Sequence, residues 1–416
     1  MPFLVNLKSL GWMTEWGIIL LAIGYYISAP VAILLNVDSR PINIIYRAIV
    51  VGLFFLPFLF SFSIKTKISK AEILLFTFWL IYLIRLIVDQ EVRGIVYNNT
   101  TNTGLNKGFI YLLVPLNIIV PFIATFRLRD HINIDRLYRN ITTVVVISCV
   151  LVVYSVLTSD QYLNRELYSR FALGKDASPT LNPIRISFIG FVCVFTSVYR
   201  LVFIKNSMLQ IGLFVFSLIA GLFCLLIGGS RGPLLLLLFG LLFQLFLWAK
   251  KNRSAGGRLK LIAWATISII GVTSYVSIHI EEFIVFSRIT DTLDRLQEGE
   301  KEERNLLFDA AIQQFYDSPI LGSQWVISSE NPDIDRVMPH NIFIESLMAV
   351  GILGSVFLFG AFIHFLKKFL TSFKFSVSSS YFIILVSCVL IQSIISGAIF
   401  LDVEFWALFN VALIIK

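Results

Sequence analysis

Apolar runs of about 20 residues, each long enough to cross roughly 30 Å of hydrocarbon as a helix, recur along nearly the whole of this chain. They fall at 17–35, 42–62, 71–88, 108–126, 141–158, 184–204, 208–228, 233–249, 259–279, 341–366, 377–396 and 399–415. Within lipid only helices and closed barrels satisfy their own backbone. Barrel strands would alternate in polarity, and these runs are continuous. The expected fold class is an all-α polytopic membrane protein of about 12 transmembrane helices, a single integral membrane domain over 1–416. Only 14% of residues are charged and 57% are hydrophobic, against roughly 25% charged in soluble domains. A water-soluble surface cannot be built from that. The N-terminus shows no short apolar stretch with a cleavage site, so its first long run reads as a retained helix.

A formal charge of +8 invites a nucleic-acid reading, but the cations sit in short loops between apolar runs, which is membrane topology. No nucleic-acid partner is expected. Alternate loops carry Lys65, Lys67 and Lys70; Arg127, Arg129, Arg136 and Arg139; Arg200 and Lys205; Lys250, Lys251, Arg253, Arg258 and Lys260; and Lys367, Lys368 and Lys374. These loops are assigned to the cytoplasm, together with both termini. The longest loop, 280–340, holds 13 acidic and five basic residues and is assigned to the periplasmic or extracellular side. Translocated loops tolerate Asp and Glu freely, so the acid excess itself carries no function. Cys149, Cys193, Cys224 and Cys388 all lie inside apolar runs without metal or redox spacing and read as inert core thiols.

Candidate chemistry gathers on the outward side. The stretch Gly228-Gly229-Ser230-Arg231-Gly232-Pro233 interrupts two apolar runs. Its glycines permit a tight turn, and Pro233 suits the first position of the next helix. The free N–H groups of that helix, with Arg231, would make an anion site. A snorkelling arginine in an ordinary hairpin is the plain alternative. In the long loop, residues 305–316 have the pattern of an amphipathic helix that could lie on the outer leaflet, with Arg304 at its start. A cation there opposes the helix dipole unless an anion is bound, although Glu302 and Glu303 also satisfy the dipole. His340 stands where the long loop re-enters the membrane, on the same side as Arg231, Arg288 and Arg304. An imidazole, whose ordinary pKa is near 6.5, is suited to abstracting a proton. No second His, Cys or carboxylate is spaced from His340 as metal ligands are, so no metal site and no cofactor are expected.

His340-Asn341, nine residues, Gly351, two residues, Gly354 resembles the signature of the bacterial O-antigen ligase and O-antigen polymerase superfamily. Gly229-Ser230-Arg231-Gly232, Arg304 with Ser318-Pro319-Ile320-Leu321-Gly322, and Asn182-Pro183 agree with it in order. The resemblance implies a metal-independent membrane glycosyltransferase of the bacterial plasma (inner) membrane. Its donor would be a polyprenyl (undecaprenyl) pyrophosphate-linked oligosaccharide, and its acceptor a glycan or lipid A core. Membrane lipids would surround it, and a flippase and a chain-length regulator would be partners. Carried over by motif, His340 would be the base that activates the acceptor hydroxyl, and Arg231 and Arg304 would clamp the donor pyrophosphate. Arg288 is a further candidate for the clamp. Arg185, two residues beyond Asn182-Pro183, is another, with snorkelling as its alternative. Only 36 positions separate Arg304 from His340, which is compact for a ligase admitting lipid A core and favours polymerisation of surface polysaccharide repeat units.

The competing class is a polysaccharide or lipid transporter or flippase. Transporters usually show internal repeats and broken or charged helices at the midplane. No obvious repeat is present here. Arg47 and Arg85 lie within apolar runs, each close enough to a helix end to snorkel, and Pro115, Asn117 and Pro121 should bend the fourth helix.

Overall fold

The computed structural model describes residues 6–37, 39–62, 64, 66–95, 114–159, 172, 181–251, 303–332 and 334–416. Over them the chain is helical. Nine helices are long and apolar enough to cross a membrane. In chain order these are α1 (Leu7–Leu34), α2 (Pro41–Ser61), α3 (Lys70–Val92), α5 (Ile134–Leu157), α6 (Pro183–Phe203), α7 (Met208–Gly228), α8 (Arg231–Lys250), α10 (Ile342–Leu370) and α11 (Val377–Ser396). Two shorter apolar helices, α4 (Pro115–Arg127) and α12 (Val403–Ile414), complete the bundle, and α9 (Glu303–Asp317) lies between α8 and α10. Eleven of the twelve expected spans therefore have a helical counterpart, and the expected span at 259–279 lies outside the described residues.

Helix boundaries depart from the hydropathy pattern where polar groups find partners. α1 starts at Leu7 rather than near residue 17, because Asn6 caps it by accepting from the Lys8 N–H and because Glu15 is fully buried against Arg136. That guanidinium donates to both Glu15 oxygens at 2.6 and 2.8 Å. The Glu15 carboxylate also receives the Asn133 N–H at 2.7 Å, so α1 and α5 are locked at one end of the bundle. Within α1 the turn Leu20–Gly24 widens to a π-helix. Tyr46 of α2 packs on Gly24 and donates its hydroxyl to the Leu20 carbonyl at 2.5 Å, satisfying a group that the widened turn frees. Further π-turns end α3 at Val88–Val92 and begin α4 at Pro115–Ile119, where Pro115, Asn117 and Pro121 were expected to bend the helix.

α6 and α7 form the tightest hairpin. Glycines allow it: a Cβ on Gly190 would lie 2.5 Å from the Leu225 nitrogen and 2.6 Å from the Gly221 carbonyl. Small residues substitute here for a hydrophobic driving force, which is absent between helices in lipid. Outward-facing Ile44, Ile45, Leu213, Phe216, Leu238, Phe246, Ile352 and Ile363 are exposed, as a lipid-facing surface requires.

The least regular element is α10. At Gly351 its backbone takes φ 62° and ψ −168°, which breaks the helical ladder. The groups this break releases bond instead to the chain that follows α9. Ile352 N–H donates to the Pro319 carbonyl at 2.9 Å, Leu353 N–H to Ile320 at 3.1 Å, and Ser323 N–H to Met348 at 2.9 Å. Gly322, at φ 74°, meets Gly351 so closely that a Cβ on either residue would strike the other's segment: Ala349 carbonyl for Gly322, Ile320 carbonyl for Gly351. Beside this joint a second small core of Leu307, Ala311, Ile327, Ile334 and Met348 holds α9. One face of α9, with Leu307 and Ala311, packs on this core, while Leu306, Ile312 and Tyr316 stay exposed.

Replacing Gly351 by Ala is expected to destabilise the protein by at least about 1–3 kcal/mol, since a side chain must adopt positive φ and displace a backbone segment. Gly212→Ala, where nothing lies within 4 Å of the new Cβ, should be nearly neutral. Thermal-shift size-exclusion profiles of the two variants in the same detergent make the comparison; equal melting would refute the close packing at Gly351.

Candidate functional site

Arg185, Arg231, Arg304 and His340 lie toward one end of the bundle, and the stretch 392–404 lies against the segments that carry the three arginines. Asn182 caps α6 by accepting from the Arg185 N–H at 2.8 Å, placing Arg185 in the first turn. Ser187, one turn further, receives the Ser230 N–H at 3.2 Å. Gly228 packs against Ser187 and the Pro183 carbonyl, where no side chain would fit. Gly229 closes α7 in the left-handed region at φ 58°, ψ 30°, a conformation that suits glycine. α8 then begins at Arg231, so Pro233 is its third residue rather than its first. Gly232 faces Gln392 of α11, 2.8 Å from where a Cβ would sit.

Arg304 is the second residue of α9 and is exposed. Its Nη1 donates to the Ile395 carbonyl at 3.4 Å, close to the end of α11. His340 is half-buried and stands at φ 53°. Histidine tolerates that region better than most residues, yet such backbone strain collects at functional sites. Asn341 caps α10, its Oδ1 accepting from Phe343 N–H at 2.9 Å and Ile344 N–H at 3.1 Å. In this signature Asn341, Gly351 and Gly354 have visible architectural work: the cap, the break in α10, and a close approach of α10 to Ile81 of α3. Arg288 lies outside the described residues.

The stretch 392–404 drew no notice in the sequence, and it is held from several sides. Glu345 of α10, fully buried, accepts from the Ile399 N–H at 2.9 Å and from the Tyr82 hydroxyl at 2.6 Å. Trp406 Nε1 donates to the Ile399 carbonyl at 2.6 Å. Arg185 lies with its guanidinium 4.3 Å from the centre of the Tyr25 ring, within electrostatic reach of Glu404 and Asp402. The signal that could have found Glu345, Asp402 and Glu404 is their position: carboxylates inside apolar runs are expensive and seldom idle.

Arg85 corrects its own reading as a snorkelling side chain. It donates to the carbonyls of Leu321 at 2.7 Å, Gly322 at 3.1 Å and Ser323 at 3.1 Å. Arg93 donates to Ser323 O at 2.6 Å. Between the two arginines lies Asp89, fully buried, which receives the Trp325 N–H at 3.0 Å. Together they fix the segment after α9 to α3, so the charge is structural.

The described helices form a multi-pass bundle with Arg231, Arg304 and a histidine at positive φ toward one end. Residues 213–359, about a third of the chain, match the family model described as O-antigen ligase. Over that stretch, from α7 to the middle of α10, the match supports the resemblance of the motifs to the O-antigen ligase and polymerase superfamily. It contains Arg231, Arg304, His340 and both glycines of the signature, and it leaves Arg185 outside. A search of curated proteins found no match.

Arg85→Met should release the 321–323 carbonyls without touching Arg231, Arg304 or His340. Amide hydrogen exchange in 319–325 is then expected to quicken by about tenfold or more, as losing hydrogen bonds from a charged donor implies, while α6 and α7 stay protected. Unchanged exchange in 319–325 would show that Arg85 does not hold the segment.

Proposed function

We propose that this protein transfers a polyprenyl pyrophosphate-linked glycan to a sugar hydroxyl at the outer leaflet of a bacterial plasma membrane, extending a surface polysaccharide by repeat units. The observation that carries the reading is the convergence of the arginine and histidine segments on 392–404 at one end of the bundle. In this reading His340 accepts the acceptor's hydroxyl proton as the oxygen attacks the anomeric carbon. The bond from that carbon to the pyrophosphate oxygen breaks, and the electron pair leaves with the pyrophosphate. Arg231 and Arg304 stabilise the growing negative charge, Arg185 lies beside them at the start of α6, and Arg288 is a further candidate in the same loop. Fixed cations are most effective where water has limited access. They supply the positive charge that a divalent ion supplies in other pyrophosphate chemistry, so the transfer is expected to need no metal.

The reading places 303–341 outside and the termini inside, following the loop cations. Its compact α9 segment, packed on the bundle rather than standing away from it, favours a small glycan acceptor over lipid A core.

Three outcomes follow. His340→Ala is expected to lower transfer by about 10² to 10⁴, and Arg231→Lys to be severe as well, because an ammonium lacks the planar fork that grips phosphate oxygens in pairs. Polysaccharide ladders from cells with matched protein levels read both; normal ladders from both variants would refute the site. Purified protein should remain active in EDTA, and a loss restored by Mg²⁺ would overturn the metal-free mechanism. An impermeant thiol reagent should label Glu330→Cys in intact cells and Lys205→Cys only after permeabilisation, against a low background because the four native cysteines are buried. The opposite pattern would invert the topology.

A further inference from the structure

At the end of the bundle away from His340, a cavity of about 350 Å³ opens between the C-terminal ends of α10 and α12 and the connection from α4 to α5. Its polar lining is basic. Arg129, His364 and Lys368 contribute to it, over an apolar floor that includes Phe126, Phe375 and Leu413. All three polar side chains are half-buried, so their position is set by the fold rather than by solvent.

What holds Arg129 and Lys368 is carbonyl oxygen. Lys368 donates to the Leu413 carbonyl at 2.6 Å and to those of Ile415 and Ala412, at the negative end of α12. Arg129 donates through Nη2 to the Lys67 carbonyl at 2.5 Å. Among the described residues no carboxylate lies within ion-pair distance of Arg129 or Lys368. The nearby acids are engaged elsewhere: Glu72 with Arg127 at 3.3 Å and Asp130 with Lys416 at 2.5 Å. Lys416 holds the Asp130 carboxyl below its ordinary range, so that acid stays ionised and paired. Carbonyls orient the two cations without cancelling their charge.

We infer that this cavity binds the phosphate headgroup of an anionic phospholipid, with Arg129 and His364 as its polar contacts and Lys368 adding charge. Two features favour a lipid over a soluble anion. The floor of the cavity is apolar, and the outer face of α10 beside it exposes Ile363, Leu366 and Leu370, a path along which acyl chains can lie. Basic pockets between helix ends at a membrane boundary recognise anionic headgroups by this combination. The site is remote from His340 and does not depend on the reaction proposed there.

Native mass spectrometry of the full-length protein in detergent tests it, titrating phosphatidylglycerol and phosphatidylcholine of matched chains. Phosphatidylglycerol should bind about tenfold tighter or more. The double variant Arg129→Gln with His364→Gln should lose that preference while eluting and melting as the parent does in phosphatidylcholine. Arg129→Gln alone, which leaves every helix cap in place, should lose part of it and keeps the test open if the double variant folds poorly. Lys368 is left intact because it also holds the end of α12. Equal binding of the two lipids, or an undiminished preference in the Arg129 variant, would overturn the proposal. Displacement of phosphatidylglycerol by millimolar inorganic phosphate would also overturn it and assign the cavity to a soluble anion.

Discussion

A backbone crossing hydrocarbon must satisfy its own hydrogen bonds, and the irregular parts of this structure follow from that requirement. α10 breaks at Gly351, and a broken ladder at membrane depth needs replacement partners. The 319–323 segment supplies them, but only because Gly322 and Gly351 both lack a side chain where the two backbones meet. The joint then needs an anchor on its other side, which Arg85, Asp89 and Arg93 provide through carbonyls and the Trp325 N–H. In this way α9 and its neighbours become part of the bundle. Arg304 and His340, at either end of that insertion, are positioned by a membrane-depth contact rather than by the polar loop itself.

The same requirement separates structural charge from available charge. Glu15 is wholly consumed by Arg136 and the Asn133 N–H. Glu345 is consumed by Tyr82 and Ile399. Removing Arg136 would leave the buried Glu15 carboxylate without its counter-charge, which costs about 3–5 kcal/mol. Those residues hold helices to one another. Arg304 is different: it is exposed and its one described hydrogen bond is long, at 3.4 Å. A side chain held so lightly can turn toward a ligand at little cost.

Much of the bundle was legible in the sequence because a run of apolar residues has few alternatives in lipid. The limits of that legibility lie where a polar residue meets a distant partner. Nothing local shows that the polar start of α1 stays helical, since its Glu15 is balanced by a residue 121 positions later. Arg85 read as snorkelling because its acceptors, 236 to 238 positions away, are backbone carbonyls and carry no sequence signature. The pattern of His340, Asn341, Gly351 and Gly354 was visible, but its division of labour was not. The cap at Asn341 could be read from residue type and position, whereas the contact between Gly351 and Gly322 is known only once the two segments are folded together.

Helix starts give a further reason to look for an anion at the His340 end. A bundle of alternating direction sets N-termini at both ends, and a cation in a first turn opposes the local dipole wherever it occurs. At the opposite end Lys70 is followed by Glu72 in the first turn of α3, and Arg136 of α5 has its neighbour Asp135 and Glu15 of α1, while Lys8 in the first turn of α1 has no acid in that turn. At the His340 end α12 begins with Glu404 and α10 with Glu345, the favourable arrangement. α6 and α8 begin instead with Arg185 and Arg231 and have no acidic residue in their first turns. Arg185 has Tyr25 and Glu404 close by. Arg231 follows the left-handed turn at Gly229, with Gly228 packed on Ser187 and Gly232 on Gln392. In the proposed reading, a phosphate bound at the start of α8 would meet a positive dipole end and a guanidinium together, which marks Arg231 as the position where substitution should tell most.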